Sequence, residues 1–342
     1  MNERSAIKMT GQSSLFAQEI EEVETVLTRQ KQIEWAKIAL IAKRLRAKNP
    51  THAITIARGS SDHAALFIGL LINRLGGLAV ASLTPSFATL YHGTLRANNS
   101  VAIAVSQSGQ SPDLLTLLDM AKRSGASSLA ILNEPNTPLD SIADDVISIH
   151  AAPERAVAAT KSVIASLSAG LKLTAEWFED HELAEALDDI HQMVSTALVS
   201  QEKCEEIANF SQCYVIGRGM TLPIAMEAAL KLKETCIIHA EAFSSAEILH
   251  GPAALIKNGF PIIAFVPNDE ARDSLLATIK QLKALGARII SFDASDKRET
   301  SHPFLAPVKL LHNFYRHVPV IARFKGLNPD QPPHLKKVTL TV

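Results

Sequence analysis

Residues 101–113, VAIAVSQSGQSPD, carry an apolar, β-branched run straight into a cluster of hydroxyls and then into a proline. Such a run suits a strand buried on both faces of a parallel sheet, and Ser111-Pro112 reads as an N-cap followed by a proline at the first helical position. Ser106, Gln107, Ser108 and Ser111 therefore lie between the carboxyl end of a strand and the amino end of a helix, where open α/β sheets bind ligands. A helix N-terminus supplies unpaired N–H groups and partial positive charge, so this loop, with Gly109 at its bend, suits a small anion. The loop has no lysine and no GxxxxGK[ST] pattern, which points to the phosphate of a small metabolite rather than a nucleotide triphosphate. The same residues alone would also serve an ordinary capped turn.

Shifted by 160 residues, the chain matches itself: Ala57-Arg58-Gly59 falls on Gly217-Arg218-Gly219, and the run from Val101 falls on Pro261-Ile-Ile-Ala-Phe. In each copy an amphipathic helix follows, closed by Gly125 or Gly286 before another apolar run. Each copy is a βαβ unit. Strand-like runs at 53–57, 78–82, 101–105, 128–132 and 145–149 predict one doubly wound domain, and runs at 213–216, 261–266 and 287–292 begin another. The expected fold is α/β, with two tandem domains, each a doubly wound parallel sheet flanked by helices. A helical segment over 1–49, a phosphate-binding domain over 50–200 and a second domain with a C-terminal active-site tail over 201–342 are the expected divisions. A helical stretch from about Thr160 to Phe210, charged on its outer face, is expected to close the first domain and link it to the second.

The copies differ where chemistry would occur. Ser106-Gln107-Ser108-Gly109 becomes Val266-Pro267-Asn268-Asp269, so only the first copy cradles an anion in this way. Arg58-Gly59-Ser60-Ser61 keeps two hydroxyls where Arg218-Gly219-Met220-Thr221 keeps one, which adds Ser60 and Ser61 to the candidates, although serine at a helix start also serves as a plain cap.

The 34 basic and 35 acidic residues are mixed along 342 positions and leave a net charge of −1. No basic face is expected for nucleic acid or an anionic membrane. Cys204, Cys213 and Cys236 show no CxxC spacing and lie in apolar or helical contexts, so buried free thiols in a reducing, cytoplasmic compartment are expected, rather than disulfides or zinc. The opening MNERSAIKMTGQSS lacks the apolar core of a leader, and no run of about 18 apolar residues occurs. His181-Glu182 has no second histidine in HExxH spacing.

Residues 217–256 hold the densest set of ionisable groups. Glu227, Lys231 and Glu234 share one side of a helix through i,i+4 and i,i+3 spacing, a pattern that on most helices forms a solvated, ion-paired surface. Glu234 lies near the helix end, before Cys236-Ile-Ile, which predicts a partly buried carboxylate able to act as a base. His250 precedes Gly251-Pro252 in a loop with no core to satisfy and is free to meet a ligand; the other eleven histidines have no such setting.

SQSGQS at 106–111, VAATK at 157–161, GRGMTLPIAMEAALKLKE at 217–234, HAEAFSSAEILHGPAALI at 239–256 and DQPPHLKK at 330–337 follow one another in an order typical of double sugar isomerase (SIS) domains. From about residue 50 onward the chain resembles the isomerase half of glucosamine-6-phosphate synthase. The resemblance implies that Ser61, Ser106, Gln107, Ser108 and Ser111 hold a sugar phosphate, and that Ser60, Val157 and Ala159 belong to the substrate-binding set. It implies that Glu234 moves a proton between C1 and C2, that His250 opens the ring, that Lys337 contacts the open-chain carbonyl region and that Lys231 lies beside the transferring oxygen. It also implies a homodimer in which His250 reaches the partner's site; no metal or organic cofactor is expected, because the 2-amino group of an aminosugar phosphate makes the enolamine accessible by proton transfer alone. Arg58 departs from the synthase, which has a cysteine there; Ala159 replaces a serine and Pro333 a basic residue.

The synthase also carries a glutaminase domain with a nucleophilic cysteine, whereas only about 50 residues precede the first strand here and no cysteine precedes Cys204. The expected reaction is therefore release: glucosamine 6-phosphate and water give fructose 6-phosphate and ammonia. A fructosamine-6-phosphate deglycase, a galactosamine-6-phosphate deaminase and an aldose–ketose phosphosugar isomerase would share the fold and the proton chemistry. A sugar-phosphate sensor without turnover is the reading from outside enzymes, and the joint presence of Glu234, His250 and Lys337 speaks against it.

Overall fold

A computed structural model describes residues 13–294 and 302–337 of the chain. Helices α1 (Leu15–Glu21) and α2 (Val23–Lys48) lead into β1 (His52–Ile56), α3 (Ser60–Gly76), β2 (Ala79–Ser82), α4 (Ser86–Thr89), β3 (Ser100–Ser106), α5 (Pro112–Arg123), β4 (Ser127–Leu132), α6 (Pro138–Ile142) and β5 (Asp145–Ser148). Helices α7 (Lys161–Trp177), α8 (His181–Ala186) and α9 (Gln201–Ala208) come next. Then follow β6 (Gln212–Gly217), α10 (Leu222–Cys236), β7 (His239–Ser244), β8 (Pro261–Val266), α11 (Arg272–Ala284), β9 (Arg288–Asp293) and α12 (Ala306–Phe324). The strands make two parallel sheets, ordered β2-β1-β3-β4-β5 and β7-β6-β8-β9. In the first, the order reverses between β1 and β3, so the loops after those two strands part and leave a crevice at their carboxyl ends.

The internal repeat extends to the hydrogen-bond register. His52 pairs with Ala79 and Ile54 with Ala102; 160 residues on, Gln212 pairs with His239 and Tyr214 with Ile262. Gly59 and Gly219, which end the matching strands, share a left-handed backbone, with φ of +56° and +55°. Strand β7 is missing from the apolar runs because it is an edge strand whose His239 and Glu241 face solvent. The 160-residue offset applied to the run at 78–82 lands on it.

Alternation along β3 sets the layers. Val101, Ile103 and Val105 face a large core of helices that runs through both modules, while Ala102 and Ala104 face a smaller core on the α5 side. The second sheet has its own outer core around Ile216, Ile262 and Leu275. The stretch from Thr160 to Phe210 departs from expectation. Its first helix, α7, is buried on almost every side rather than charged outward, and two short helices and extended chain follow. Its Ser, Ala and Gly residues let it lie against α2 and α3, and even Lys161 is enclosed, its ammonium bonded to Glu22 at 2.6 Å and to the Pro153 carbonyl at 2.9 Å. Helix α2, from the expected 1–49 segment, packs on α7 as part of this core. No described helix is long and apolar enough to cross a membrane.

The α3–α7 contact tests this packing. A Cβ on Gly170 would overlap the branched Ile68 side chain. Gly170→Ala gains about 1 kcal/mol of helix propensity, yet overpacking costs about 1–3 kcal/mol, so net loss of stability in urea unfolding is the expected result.

Candidate functional site

The crevice after β1 and β3 holds a cavity of about 140 Å³, bordered by Ser61, Ser106, Gln107, Ser108 and Ser111, with Arg58 and Lys337 as its cations. The β3 loop turns at Gly109, whose φ is +62° and where any Cβ would overlap the Thr137 hydroxyl, so glycine is required twice over. Ser106 Oγ accepts the Gly109 N–H at 3.0 Å, which folds the loop over the strand end. Ser111 stands at the N-cap position of α5 with Pro112 after it, but its hydroxyl makes no cap bond. Its role as a side-chain cap is thus corrected, and that oxygen is left facing the cavity. Arg58 Nε donates to the buried Asp113 carboxylate at 2.5 Å.

Lys337, the last described residue, reaches the cavity from the C-terminal tail. Its ammonium bonds Glu154 Oε2 at 3.0 Å. Glu154 is buried and also accepts from the Thr160 N–H at 2.9 Å and from the Ser162 N–H and hydroxyl at 3.1 and 2.7 Å. Burial pushes this carboxyl up, but the Lys337 ammonium and the three donors outweigh it and hold it below the usual carboxylate range. The tail has a second anchor, because Asp330 accepts the Leu15 and Phe16 N–H groups, each at 2.8 Å, at the start of α1.

The helix face of Glu227, Lys231 and Glu234 is not the solvated surface that such spacing commonly makes. Lys231 and Glu227 are fully buried, because α3, α10 and α12 close over them. Lys231 Nζ lies 2.6 Å from Glu234, 3.3 Å from Glu227 and 3.1 Å from Ser60 Oγ. Burial drags the Lys231 pKa down, but the two carboxylates raise it above its ordinary value. Burial likewise pushes Glu227 up, and Lys231, His63 Nδ1 at 2.7 Å and the Tyr315 hydroxyl at 2.9 Å bring it below the usual range. Burial and the Glu227 charge push Tyr315 well above the ordinary tyrosine value. Glu234 differs in that its side chain keeps 21% of its surface exposed.

The remaining candidates lie outside this cavity lining. Ser60 is occupied by Lys231 and does not border the cavity; it ties the two modules together. Val157 and Ala159 lie half-buried between β5 and α7 and do not border it either. His250 ends a short turn, Glu247–His250, and is exposed, away from the cavity lining and without a polar partner among the described residues. His63, passed over in the sequence, belongs to the buried network; its one sequence signal is the i,i+3 spacing to Ser60 on α3. The three thiols are buried as expected, and burial pushes Cys204 to about 11 and Cys213 and Cys236 to about 12. Among the described residues no three His, Cys, Asp or Glu side chains are grouped to hold a metal ion.

The family model of the SIS domain matches residues 46–175 and 206–302. An isomerizing glutamine–fructose-6-phosphate aminotransferase of Sulfurisphaera tokodaii is 33% identical over 309 residues, which cover 86% of this chain and 51% of that protein. The chain thus spans about half the length of the curated relatives it matches. A Silicibacter pomeroyi DSS-3 protein provisionally assigned as a phosphosugar isomerase superposes with a TM-score of 0.86 at 36% identity, covering 93% of this chain and all of that one. The C-terminal domain of glucosamine-fructose-6-phosphate aminotransferase from Francisella tularensis gives 0.82 at 28% identity, covering 94% and 99%. A glucosamine-6-phosphate deaminase of Thermotoga maritima, at 19% identity and a TM-score of 0.77 over 96% of this chain and 100% of that one, shares the fold.

Glu154 yields a pH test. Because its folded pKa is depressed, its stabilisation is complete above the unfolded value of 4.5 and is lost as pH falls through the lower folded value. Glu154→Gln is expected to flatten the loss of stability below pH 4.5, measured by urea unfolding at successive pH values. Glu227, depressed in the same direction, leaves a residual slope.

Proposed function

The chain belongs to the SIS domain family, and on that premise we propose that it is a glucosamine-6-phosphate deaminase, forming fructose 6-phosphate and ammonia. The observation that carries the reading is the link between the two clusters: Lys231 Nζ bonds both Glu234 and Ser60, the residue next to Ser61 in the cavity lining. A carboxylate held this way can serve a substrate whose phosphate sits among Ser106, Ser108 and Ser111.

The chemistry follows from the substrate. Once the ring is open, C1 is an aldehyde and C2 carries the amine, so the C2 proton is acidified by the neighbouring carbonyl. Glu234 takes that proton, giving an enolamine, and returns it at C1, giving an imine at C2; water then adds to the imine and ammonia leaves. The Lys231 ammonium, kept charged by two carboxylates, lies beside Glu234 and stabilises negative charge on the neighbouring oxygen.

His250 opens the ring in the site of a second copy. Its exposure and its lack of a polar partner among the described residues support this, as does the exposed apolar surface around it, where Leu249 and Leu255 are 40% and 60% exposed.

Glu234→Gln is expected to keep the fold and phosphate binding while losing about 10²–10⁴ in ammonia release, and the native enzyme made to turn over in deuterium oxide should place deuterium at C1 of the ketose. Near-native turnover by that variant removes the role from Glu234, and ketose without ammonia makes the protein an isomerase. In a second test, Glu234→Gln and His250→Ala subunits, each inactive alone, are unfolded and refolded together. A shared site places both lesions in one site and leaves the other intact in each mixed dimer, restoring roughly a quarter of native activity. A mixture with exchange verified but no recovery excludes the shared site.

A further inference from the structure

We propose that Arg58 is a phosphate ligand that tunes this site to a doubly charged phosphate ester, an inference that rests on the sugar-phosphate reading above. Arg58 follows β1 and borders the same cavity as Ser61, Ser106, Ser108 and Ser111. Its Nε is spent on Asp113, whose carboxylate is wholly buried in the first turn of α5. The side chain is otherwise 47% exposed, and its two terminal nitrogens have no partner among the described residues. A guanidinium held by one edge presents the other as a planar fork, the geometry that matches two oxygens of a phosphate.

The pairing with Asp113 serves the anion a second time. A phosphate at the start of α5 draws on unpaired N–H groups and the positive helix end, yet Asp113 puts a carboxylate in that same turn. That charge repels a dianion in a site of low dielectric. Arg58 neutralises it from the side that borders the cavity.

The internal repeat provides a control within the molecule. Arg218 and Asp273 stand 160 residues beyond Arg58 and Asp113, so the second module has the same two residue types in the same places. There the pair is not made: Arg218 Nη1 turns to Ser244 Oγ at 3.3 Å, and Asp273 is exposed at the start of α11. The loop beside it, Val266-Pro267-Asn268-Asp269, has no hydroxyl. A pair needed only to stabilise this strand–helix junction would serve both copies. Arginine and aspartate come together only in the copy that keeps the hydroxyls.

The test is binding without turnover: isothermal titration of the full chain with inorganic phosphate and with fructose 6-phosphate. Arg58→Gln should weaken both by about tenfold or more, and Arg58→Lys, which keeps the charge but loses the fork, should fall between. If Arg58→Gln fails to fold, the double variant Arg58→Gln/Asp113→Asn removes both charges and should still bind both ligands at least tenfold more weakly. Dissociation constants within twofold of native in either variant overturn the proposal. Native protein that binds neither ligand overturns the phosphate-site reading and this proposal with it. Native protein that binds both ligands but produces no ammonia overturns only the deaminase reading, and the Arg58 comparison stands.

Discussion

Lys231 is the residue around which the site is organised. A fully buried ammonium costs several kcal/mol unless its partners are in place, so a fold that encloses it must also bring Glu227, Glu234 and the Ser60 hydroxyl within reach. Glu227 carries the same demand onward, and His63 from α3 and Tyr315 from α12 meet it. Three helices are thereby held at one spacing by groups that cannot be left unpaired. Among the three ionisable groups on this face of α10, Glu234 keeps 21% of its side chain exposed where Lys231 and Glu227 keep almost none.

Duplication explains the scaffold and divergence explains the site. The two modules share register, strand order and the left-handed glycine after the first strand, yet they contribute different things. The first supplies a hydroxyl-lined loop and the start of α5; the second supplies α10 with its ionisable face. Neither half holds both, so the candidate site depends on how they pack. The tail completes the arrangement, because Asp330 ties it to α1 and Glu154 receives Lys337 at the cavity edge. Two carboxylates far apart in sequence thus hold the segment up to Lys337 at the cavity edge.

Most of the fold was legible in the residues themselves. Strands of the parallel sheets are buried on both faces and so read as continuous apolar runs, and the repeat offset reproduces the observed pairing residue for residue. The turn from β3 into α5 was legible for the same kind of reason, since strand, glycine, hydroxyls and proline are local features. The exposed position of His250 followed from its Gly-Pro loop. What escaped were features with no local signature: the polar edge strand β7, the buried character of α7, and the part played by His63.

Sequence by itself determined the elements, their order, the duplication and the hydroxyl-rich loop between β3 and α5, because each depends on neighbours within a few residues or on a fixed period. Only the tertiary structure decided which charges are buried. Glu227, Lys231 and Glu234 have the spacing of an ordinary surface, and it is the closure of α3 and α12 over α10 that removes water from two of them and spares the third. The same holds for Ser60, a plausible phosphate ligand by position, whose hydroxyl is taken by an ammonium 171 residues away. Burial is a property of what packs on top, and that information is distributed over the whole chain.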